Sequence, residues 1–330
     1  VSIPKKRDLT EMGNYRGISL MATAIKVLMV ILSTRLNGAF EKEGLLCKAQ
    51  AGFRRREECV TQSACLLEIA RRRNLLGEPT YLLFIDLKKA YDTVPQEALM
   101  AKLDFYGVRG RALGFIRTLY SRSRIQVRVG ETVTEPADLL RGVRQGCPLS
   151  PVLFNIFIND VMDGADRSRV PVCMQGGVKT HIPALMFADD LVALSGSRRG
   201  IERMARQVTD WTVENEMRVG IGKWGIMVVN KSRSVLQQTP DRCQIAGEPV
   251  PVVSEYTYLG LRFTEDLDVP TMLSERVAKG KRLVNTLTPF LRTRVIPVPM
   301  KVAVVRGVVI PRLLFGAEVY GMNKAITESM

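Results

Sequence analysis

Hydrophobic residues in the first eighty positions recur at the spacing of α-helices. One stripe leaves Lys26 and Arg35 on the opposite face and consists of Ile18, Ala22, Ile25, Leu28, Met29, Leu32 and Leu36. A second stripe, which ends in three consecutive arginines at 71–73, consists of Cys59, Ser63, Leu66, Leu67 and Ala70. The pattern therefore predicts two helices, the first of which is interrupted at Gly38 and Gly44.

Short apolar runs further along the chain predict strands. Residues 81–85 read as a buried strand that ends at Asp86. Residues 184–194 form a longer apolar run whose only charges are Asp189 and Asp190, and we predict a hairpin with these acids at or beside its turn. Further strands are expected at 125–129 with a return from Val133, at 226–229, and in a hairpin at 256–263.

The remaining periodic segments predict helices and an α+β protein without internal repeats. One helix begins near Pro95, which suits a first turn. Another begins after Ser150 and Pro151, an expected N-cap and first-turn pair. Further helices are expected at 112–120, 200–213 and over most of 269–330.

The three acids Asp86, Asp189 and Asp190 are costly to bury alone, because removing an ion from water outweighs the gain from apolar neighbours. If their strands are adjacent in one sheet, the carboxylates converge. Converging carboxylates are typical ligands of a hard cation such as Mg²⁺. Two such ions, about 3.5–4 Å apart, support nucleotidyl transfer. A structural interpretation, in which Asp86 is a helix N-cap, stays open at this point.

Charge favours a polyanionic partner. The 330-residue chain carries a net charge of +15 and is 46% hydrophobic, so it is long and apolar enough for several packed subdomains. Such a surplus suits nucleic acid or an anionic membrane surface, with generic solubility as the alternative. Arginine clusters at 54–56 and 71–73 favour phosphate contact, although arginines at a helix C-terminus also complement the helix dipole.

Other residue types narrow the class of protein. Six cysteines without a C-x-x-C pair and a single histidine, His181, argue against a zinc site and against Ser-His or Cys-His catalysis. We expect reduced cysteines, as in a cytosolic or nuclear protein. No signal peptide or membrane span is expected, because basic residues interrupt the apolar stretches 18–32 and 295–315. The ends of the sequence suggest a fragment of a longer protein.

Ordered motifs along the chain now resemble a known family. FIDLKKAYD at 84–92, RGVRQGCPLSP at 141–151 and FADD at 187–190 resemble motifs A, B and C of reverse transcriptases. NYRGISL at 14–20 and QAGFR at 50–54 resemble the fingers motifs of the non-LTR (LINE-type) retrotransposon branch. Tyr258, Leu259 and Gly260 resemble the primer-grip hairpin. The ordered set is far more specific than a lone FADD, and it extends from about Pro4 to Gly321.

The resemblance implies a metal site. Asp86 and Asp189 match the two principal ligands, with the Leu87 carbonyl as a further ligand and Asp190 close behind. Two Mg²⁺ ions, or Mn²⁺ as a substitute, are the implied cofactors. Lys223 resembles the motif D lysine that acts as general acid to the pyrophosphate. Its surroundings, Gly222, Trp224 and Gly225, depart from the Asn-x-x-Lys-Thr pattern of the family.

The resemblance also implies substrate contacts. Arg16 matches the fingers contact to the triphosphate, and Tyr91 matches the steric gate that excludes a ribose 2′-hydroxyl. Gln145 and Gly146 match the motif B loop beside the templating pair. Expected nucleic-acid contacts are Arg54, Arg55, Tyr258, Leu259 and Gly260. For Arg16, Arg54 and Tyr91, a surface or core role is the alternative.

The expected fold is a right-hand polymerase with an antiparallel-sheet palm. Its expected domains are fingers at 1–83, a palm at 84–262 with a fingers insertion at about 107–140, and a helical thumb at 263–330. The implied function is RNA-directed DNA synthesis from an RNA template, a DNA primer and dNTPs, in the nucleus and without a membrane. One alternative is a catalytically inactive RNA-binding scaffold. Another is an RNA-dependent RNA polymerase, which the bulk of Tyr91 disfavours.

Overall fold

The structure is a computed structural model that describes residues 2–4, 8, 10–11, 14–121, 123–165, 170–173, 179–220, 222–230 and 243–320. The strands are β1 Ser2–Pro4, β2 Tyr15–Gly17, β3 Thr80–Asp86, β4 Arg124–Ile125, β5 Arg128–Val129, β6 Thr132–Val133, β7 Ala137–Asp138, β8 Val170–Cys173, β9 Lys179–Ile182, β10 Ala184–Phe187, β11 Asp190–Ser195, β12 Gly225–Val229, β13 Gln244–Ile245, β14 Glu248–Pro249, β15 Glu255–Tyr258 and β16 Leu261–Thr264. The α-helices are α1 Thr23–Lys42, α2 Cys59–Leu75, α3 Ala90–Thr93, α4 Gln96–Phe105, α5 Gly110–Ser121, α6 Ser150–Ile158, α7 Arg198–Glu214, α8 Val269–Arg292, α9 Val298–Val304, α10 Ile310–Leu314 and α11 Ala317–Tyr320.

A four-stranded antiparallel sheet in the order β10–β11–β3–β12 forms the framework of the fold. Strand β3 pairs with β11 from Tyr81 opposite Ser195 to Asp86 opposite Asp190. Strands β10 and β11 form a hairpin in which Phe187 pairs with Asp190. The prediction that the Asp86 strand and the acidic hairpin are neighbours in one sheet is confirmed.

Side chains of β3 alternate between two hydrophobic cores on opposite faces of this sheet. Leu83 and Ile85 belong to the core that contains α4, α6 and α7. Leu82 and Phe84 belong to the core that contains α2 and the β15–β16 hairpin. Because both faces are covered, the strand is a continuous apolar run, and Asp86 marks the point where it leaves the core.

Helix α1 differs from the prediction at both ends. It begins at Thr23 and continues through Gly38 to Lys42. The residues before it form a loop, in which the Ser19 N–H donates to the Gln145 carbonyl at 2.7 Å. Gly38 does not end the helix, because a glycine in a helix interior costs only about 1 kcal/mol.

Most of α1 is exposed, and its buried residues are Met29 and Phe40. The exposed side chains include Ile25, Val27 and Val30. Within the described ranges, α1 is the one helix that is long and apolar enough to cross a membrane, by length and composition alone. The expected absence of a membrane segment therefore stays a prediction.

Helix α6 packs in the first core, and its N-terminus differs from the predicted one. Ser150 is its first residue rather than its N-cap, which is Leu149, and the helix ends at Ile158. Apart from Pro151, every residue of α6 is buried. The helix is therefore a fixed support for the loop that precedes it.

The C-terminal part is helical as predicted, as far as residue 320. Helices α8 to α11 include a π-helical turn at Val305–Val309. Helix α8 contacts β16 and connects this part to the second core. The end of the predicted tail, 321–330, lies outside the described residues, and the division into fingers, palm and thumb at the stated boundaries stays a prediction.

Candidate active site at the end of the sheet

Three carboxylates lie at one end of the central sheet. Ala188 and Asp189 form the turn between β10 and β11, and Asp190 is the first residue of β11. Ala188 has a left-handed backbone with φ of 56°, which a tight hairpin turn requires. Asp190 lies directly opposite Asp86, an arrangement of like charges that destabilises a sheet unless something compensates it.

The pKa values of the two acids in the hairpin reflect this crowding. Burial raises the pKa of Asp189, and the negative charge of Asp86 raises it further, while Lys223 and Arg16 partly offset the shift. Burial raises the pKa of Asp190 to about 6, with further contributions from Asp189 and Asp86. Burial is the main cause of both shifts, and repulsion among the three acids adds to it.

Lys223 is bonded to the carboxylate of Asp86. Its ammonium donates to the two Asp86 oxygens at 3.1 and 3.3 Å. The Asp86 side chain is 18% exposed and that of Lys223 is 71% exposed, so the ion pair opens to solvent. The Tyr256 hydroxyl donates to the Lys223 carbonyl at 2.6 Å and thereby connects the β15–β16 hairpin to this lysine.

A bridge between Leu87 and Val219 continues β3 beyond Asp86. The Gly220 N–H donates to the Asp86 carbonyl at 2.7 Å, and the Lys88 N–H donates to the Arg218 carbonyl at 2.8 Å. A Cβ on Gly220 would lie 2.7 Å from an Asp86 carboxylate oxygen, so only glycine fits beside this acid. The bridge therefore fixes the backbone on both sides of Leu87.

The three carboxylates are the right chemical groups for a hard divalent cation, but they are not arranged around one point. Carboxylate oxygens are ligands that suit Mg²⁺, and the pKa values of Asp189 and Asp190 are raised. In the part of the chain that the structure describes, no three carboxylate, thiol or imidazole groups surround one point closely enough to hold an ion. Asp86 is turned towards Lys223 instead. A cation would therefore compete with the lysine for Asp86.

Tyr91 and the loop before α6 lie beside the acids. The ring of Tyr91 stacks on Phe154 with centroids 4.7 Å apart, and Phe53 meets it edge-on. Its hydroxyl is buried without a hydrogen-bond partner among the described residues. Burial and the nearby charge of Asp189 raise its pKa far above the ordinary range. The aromatic ring is thus held rigidly next to the acidic turn.

The predicted residues of this loop have mutual contacts. The Gln145 amide donates to the Asp92 carboxylate at 2.9 Å, and the Gln145 carbonyl accepts from Ser19. Gly146 has a φ of 95°, and a Cβ there would lie 3.0 Å from the Ser19 carbonyl. The loop is thereby joined to the segment that carries Arg16, whose charge reaches Asp189.

Two predicted nucleic-acid contacts, which stay predictions, have partners within the fold. Arg54 forms an ion pair with Glu41 at 2.6 Å and donates to the Gln50 carbonyl, so its guanidinium joins the end of α1 to the following loop. Tyr258 is 3% exposed and packs near Phe84, so its ring belongs to the core. Both were predicted from motifs alone, which do not show which way a side chain points.

The other predicted contacts are at accessible positions. Arg16 and Arg55 are exposed. Leu259 and Gly260 form the turn of the β15–β16 hairpin, with φ values of 48° and 80°. The structure brings Arg16 to the acids, whereas the turn at Leu259 and Gly260 borders a cavity lined by Arg276, Lys279, Arg312 and Phe315.

Known proteins with similar sequences identify the family. The family model for reverse transcriptase (RNA-dependent DNA polymerase) matches residues 3–263. The chain belongs to the reverse transcriptase family. Its fold is accordingly that of a right-hand polymerase, in which the central sheet is the palm.

Relatives assign this reverse transcriptase to the non-LTR branch. A retrovirus-related Pol polyprotein from the type-1 retrotransposable element R2 of Popillia japonica is 32% identical over 195 residues, covering 58% of this chain and 26% of the relative. A probable RNA-directed DNA polymerase from transposon X-element of Drosophila melanogaster is 24% identical, covering 94% of this chain and 34% of the relative. The chain thus spans about a quarter to a third of these proteins.

Solved structures with a related shape include a telomerase. The telomerase from Candida tropicalis in complex with a fragment of telomeric RNA aligns with a TM-score of 0.47 and 12% identity. The alignment covers 88% of this chain and 47% of the telomerase.

Asp190→Asn is expected to stabilise the protein at neutral pH without divalent ions. The folded pKa of about 6 lies above the ordinary unfolded value, so wild-type stability falls as pH rises from about 4 through 6. The variant should gain on the order of 2 kcal/mol at pH 7.5, and the gain should vanish below about pH 4, where both states are protonated. Urea unfolding at the two pH values measures this difference. An equal gain in the free energy of unfolding at both pH values would contradict the raised pKa of Asp190.

Proposed function

We propose that the chain is an RNA-directed DNA polymerase that extends a DNA primer on an RNA template by two-metal nucleotidyl transfer. One observation carries the proposal: Asp86 and Asp190 lie opposite each other on paired strands, with Asp189 in the adjoining turn. The raised pKa values of Asp189 and Asp190 support it, because acids that repel one another gain most from a bound cation. Family membership supports the class of reaction.

Asp86 and Asp189 are the proposed principal ligands, with Asp190 and the Leu87 carbonyl near them. Two Mg²⁺ ions bound there would activate the primer 3′-hydroxyl and stabilise the leaving pyrophosphate, and Mn²⁺ would substitute for them. To hold the ions, the carboxylate of Asp86 would have to exchange its ion pair with Lys223 for the metal. The released ammonium of Lys223 would then be the proton donor at the pyrophosphate, a role that its solvent-exposed side chain suits.

The other proposed roles concern the incoming nucleotide. Arg16 binds the triphosphate, since an exposed guanidinium whose charge reaches Asp189 suits phosphate oxygens. Tyr91 excludes a 2′-hydroxyl by the bulk of its fixed ring. Gln145 and Gly146 bind at the templating base pair. Arg55 and the turn at Leu259 and Gly260 are proposed contacts of the nucleic acid.

The partners are therefore an RNA template, a DNA primer and dNTPs, and the proposed place of action is the nucleus. The relatives named for retrotransposable elements support this view. The net charge of +15 supports a polyanionic partner, because each phosphate that a lysine or arginine neutralises releases counterions.

Binding and extension measured on one preparation test the proposal. The purified chain is mixed with an RNA template that carries a labelled DNA primer, with dNTPs and Mg²⁺. We expect binding of the primer–template and extension with dNTPs. Binding without any extension would favour the inactive scaffold, and extension with rNTPs alone would favour an RNA polymerase.

A further inference from the structure

The side chain of Gln50 joins the backbone of the acidic turn to the segment before α2. Gln50 is 2% exposed and lies in the loop between α1 and α2. Its Oε1 accepts from the Ala188 N–H at 2.9 Å, and its Nε2 donates to the Ala188 carbonyl at 3.1 Å. The amide therefore bonds both polar groups of the residue that immediately precedes Asp189.

The turn needs such support. Ala188 has a left-handed backbone, which is unfavourable for any residue with a Cβ. It also lies between strand β10 and two acids, and one of these, Asp190, pairs directly with Asp86, so like charges face each other beside the turn. A conformation of this kind persists only where surrounding contacts determine it. The two bonds from Gln50 supply that contact from a buried position that water does not compete for.

Gly52 lets Gln50 come this close. A Cβ on Gly52 would lie 2.2 Å from the Ala188 nitrogen, so the backbones pack directly against each other. The Gly52 N–H donates to Oε1 of Gln50 at 2.8 Å and fixes the amide orientation. The Gly52 carbonyl accepts from Asn155 on α6 at 2.7 Å. The glutamine is thus anchored to the most buried helix of the fold.

A second buried glutamine, Gln62, stabilises the sheet beside the turn but not the turn itself. Gln62 on α2 is 7% exposed, and its Nε2 donates to the carbonyls of Ala49 and Met186 at 3.1 and 3.2 Å. It therefore stabilises the pairing of residues 49–51 with β10. It bonds the strand before the turn, whereas Gln50 bonds the turn itself. The pair forms a natural comparison.

We infer that Gln50 is a positioning residue, which holds the Ala188 backbone so that Asp189 stays aligned with Asp86 for the reaction. The inference rests on the proposed polymerase function. The Gln50 amide bonds the backbone of Ala188 and not a carboxylate of the proposed ligands, so its effect passes through the backbone. Reaction rate, rather than substrate affinity, is then the quantity that depends on it.

The kinetic test compares Gln50→Met with Gln62→Met, because each removes one amide and keeps a side chain of similar length. Primer extension is measured over a range of dNTP concentrations. For Gln50→Met we expect kcat to fall by about 100-fold, the effect of a displacement near 1 Å, with dNTP KM and primer–template affinity within about twofold of wild type. For Gln62→Met we expect kcat within about threefold of wild type.

Hydrogen–deuterium exchange at the Ala188 N–H gives a readout that does not depend on activity. Loss of its acceptor in Gln50→Met should speed exchange by at least about fivefold, whereas Gln62→Met should leave this amide protected. Urea unfolding of both variants shows whether their stabilities match. If the methionine prevents folding, Gln50→Asn replaces it, because asparagine keeps an amide but is too short to span both Ala188 groups, and the same shifts are expected.

The outcomes separate the two proposals. Equal losses of kcat in Gln50→Met and Gln62→Met, in proportion to lost stability, would overturn the positioning role, as would an unchanged kcat in Gln50→Met. Another outcome is that the wild-type chain makes no DNA while exchange at Ala188 is faster in Gln50→Met and unchanged in Gln62→Met. In that case the polymerase proposal fails, but Gln50 still holds the turn. If exchange at Ala188 is the same in Gln50→Met as in wild type, Gln50 does not hold the turn.

Discussion

Asp189→Ala is expected to reduce primer extension by at least about a thousandfold, because charge stabilisation by bound metal supplies several kcal/mol of the lowered barrier. Asp189 lies in the turn between the two strands that bring the acids together. The alanine removes a carboxylate whose pKa is raised by burial and by Asp86, so the folded protein loses a strained charge and is not destabilised by the change. Single-turnover extension on an RNA template measures the effect.

Asp163→Ala is the matched control for this experiment. The pKa of Asp163 is also raised by burial and by a neighbouring acid, Asp160, but this residue lies in the turns after α6. Its loss should leave extension within about twofold of wild type. Affinity for the primer–template should be nearly unchanged in both variants. Extension that persists in Asp189→Ala would remove Asp189 from the metal site.

Tyr91→Ala is expected to lower the preference for dNTPs over rNTPs by about 10- to 200-fold, the range by which a pocket distinguishes substrates that differ by one methylene-sized group. The ring stacks on Phe154 with an interplanar angle of 20°, and Phe53 meets it in an edge-to-face contact with ring centroids 6.2 Å apart. A ring fixed in this way cannot move aside for a 2′-hydroxyl. The ratio of kcat/KM for matched dNTP and rNTP measures the preference.

Tyr91→Phe separates the ring from its hydroxyl. That hydroxyl is buried without a partner among the described residues, so its removal should not lower the free energy of unfolding. We expect the phenylalanine variant to keep the full preference for dNTPs, since the bulk of the ring is retained. Unchanged discrimination in the alanine variant would eliminate Tyr91 as the gate.

The acidic end of the sheet is predictable from the sequence because burial leaves a clear pattern there. Strand β3 is buried on both faces, so its residues form one apolar run that stops at Asp86. The hairpin of Asp189 and Asp190 is visible for the same reason, since the acids interrupt an otherwise buried run. Their pairing follows from the register of β3 and β11.

Long-range contacts were not predictable in this way. Gln50 and Ala188 are far apart in the sequence, and a glutamine in a basic loop has no local property that marks it as buried. The sequence motif that predicts a nucleic-acid contact for Arg54 gives no sign of its ion pair with Glu41. Tyr258 lies on a short hairpin, where alternation decides the exposed side, and its ring faces the core.

The contact between Lys223 and Asp86 is also not predictable from the sequence. The segment around Lys223 departs from the family pattern, yet the lysine lies against the expected metal ligand at 3.1 Å. The bridge from Leu87 to Val219 brings this segment to the end of β3. Glycine at 220 is what allows the approach, since a Cβ there would collide with Asp86.

Metal-dependent extension by the wild-type chain tests the central claim most directly. A labelled DNA primer on a defined RNA template is incubated with the purified chain and dNTPs while Mg²⁺ is titrated, then removed with a chelator. We expect full-length DNA complementary to the template, whose synthesis requires Mg²⁺ or Mn²⁺ and stops on chelation. A chain that binds the primer–template tightly and adds no nucleotide at any concentration of either ion would contradict it.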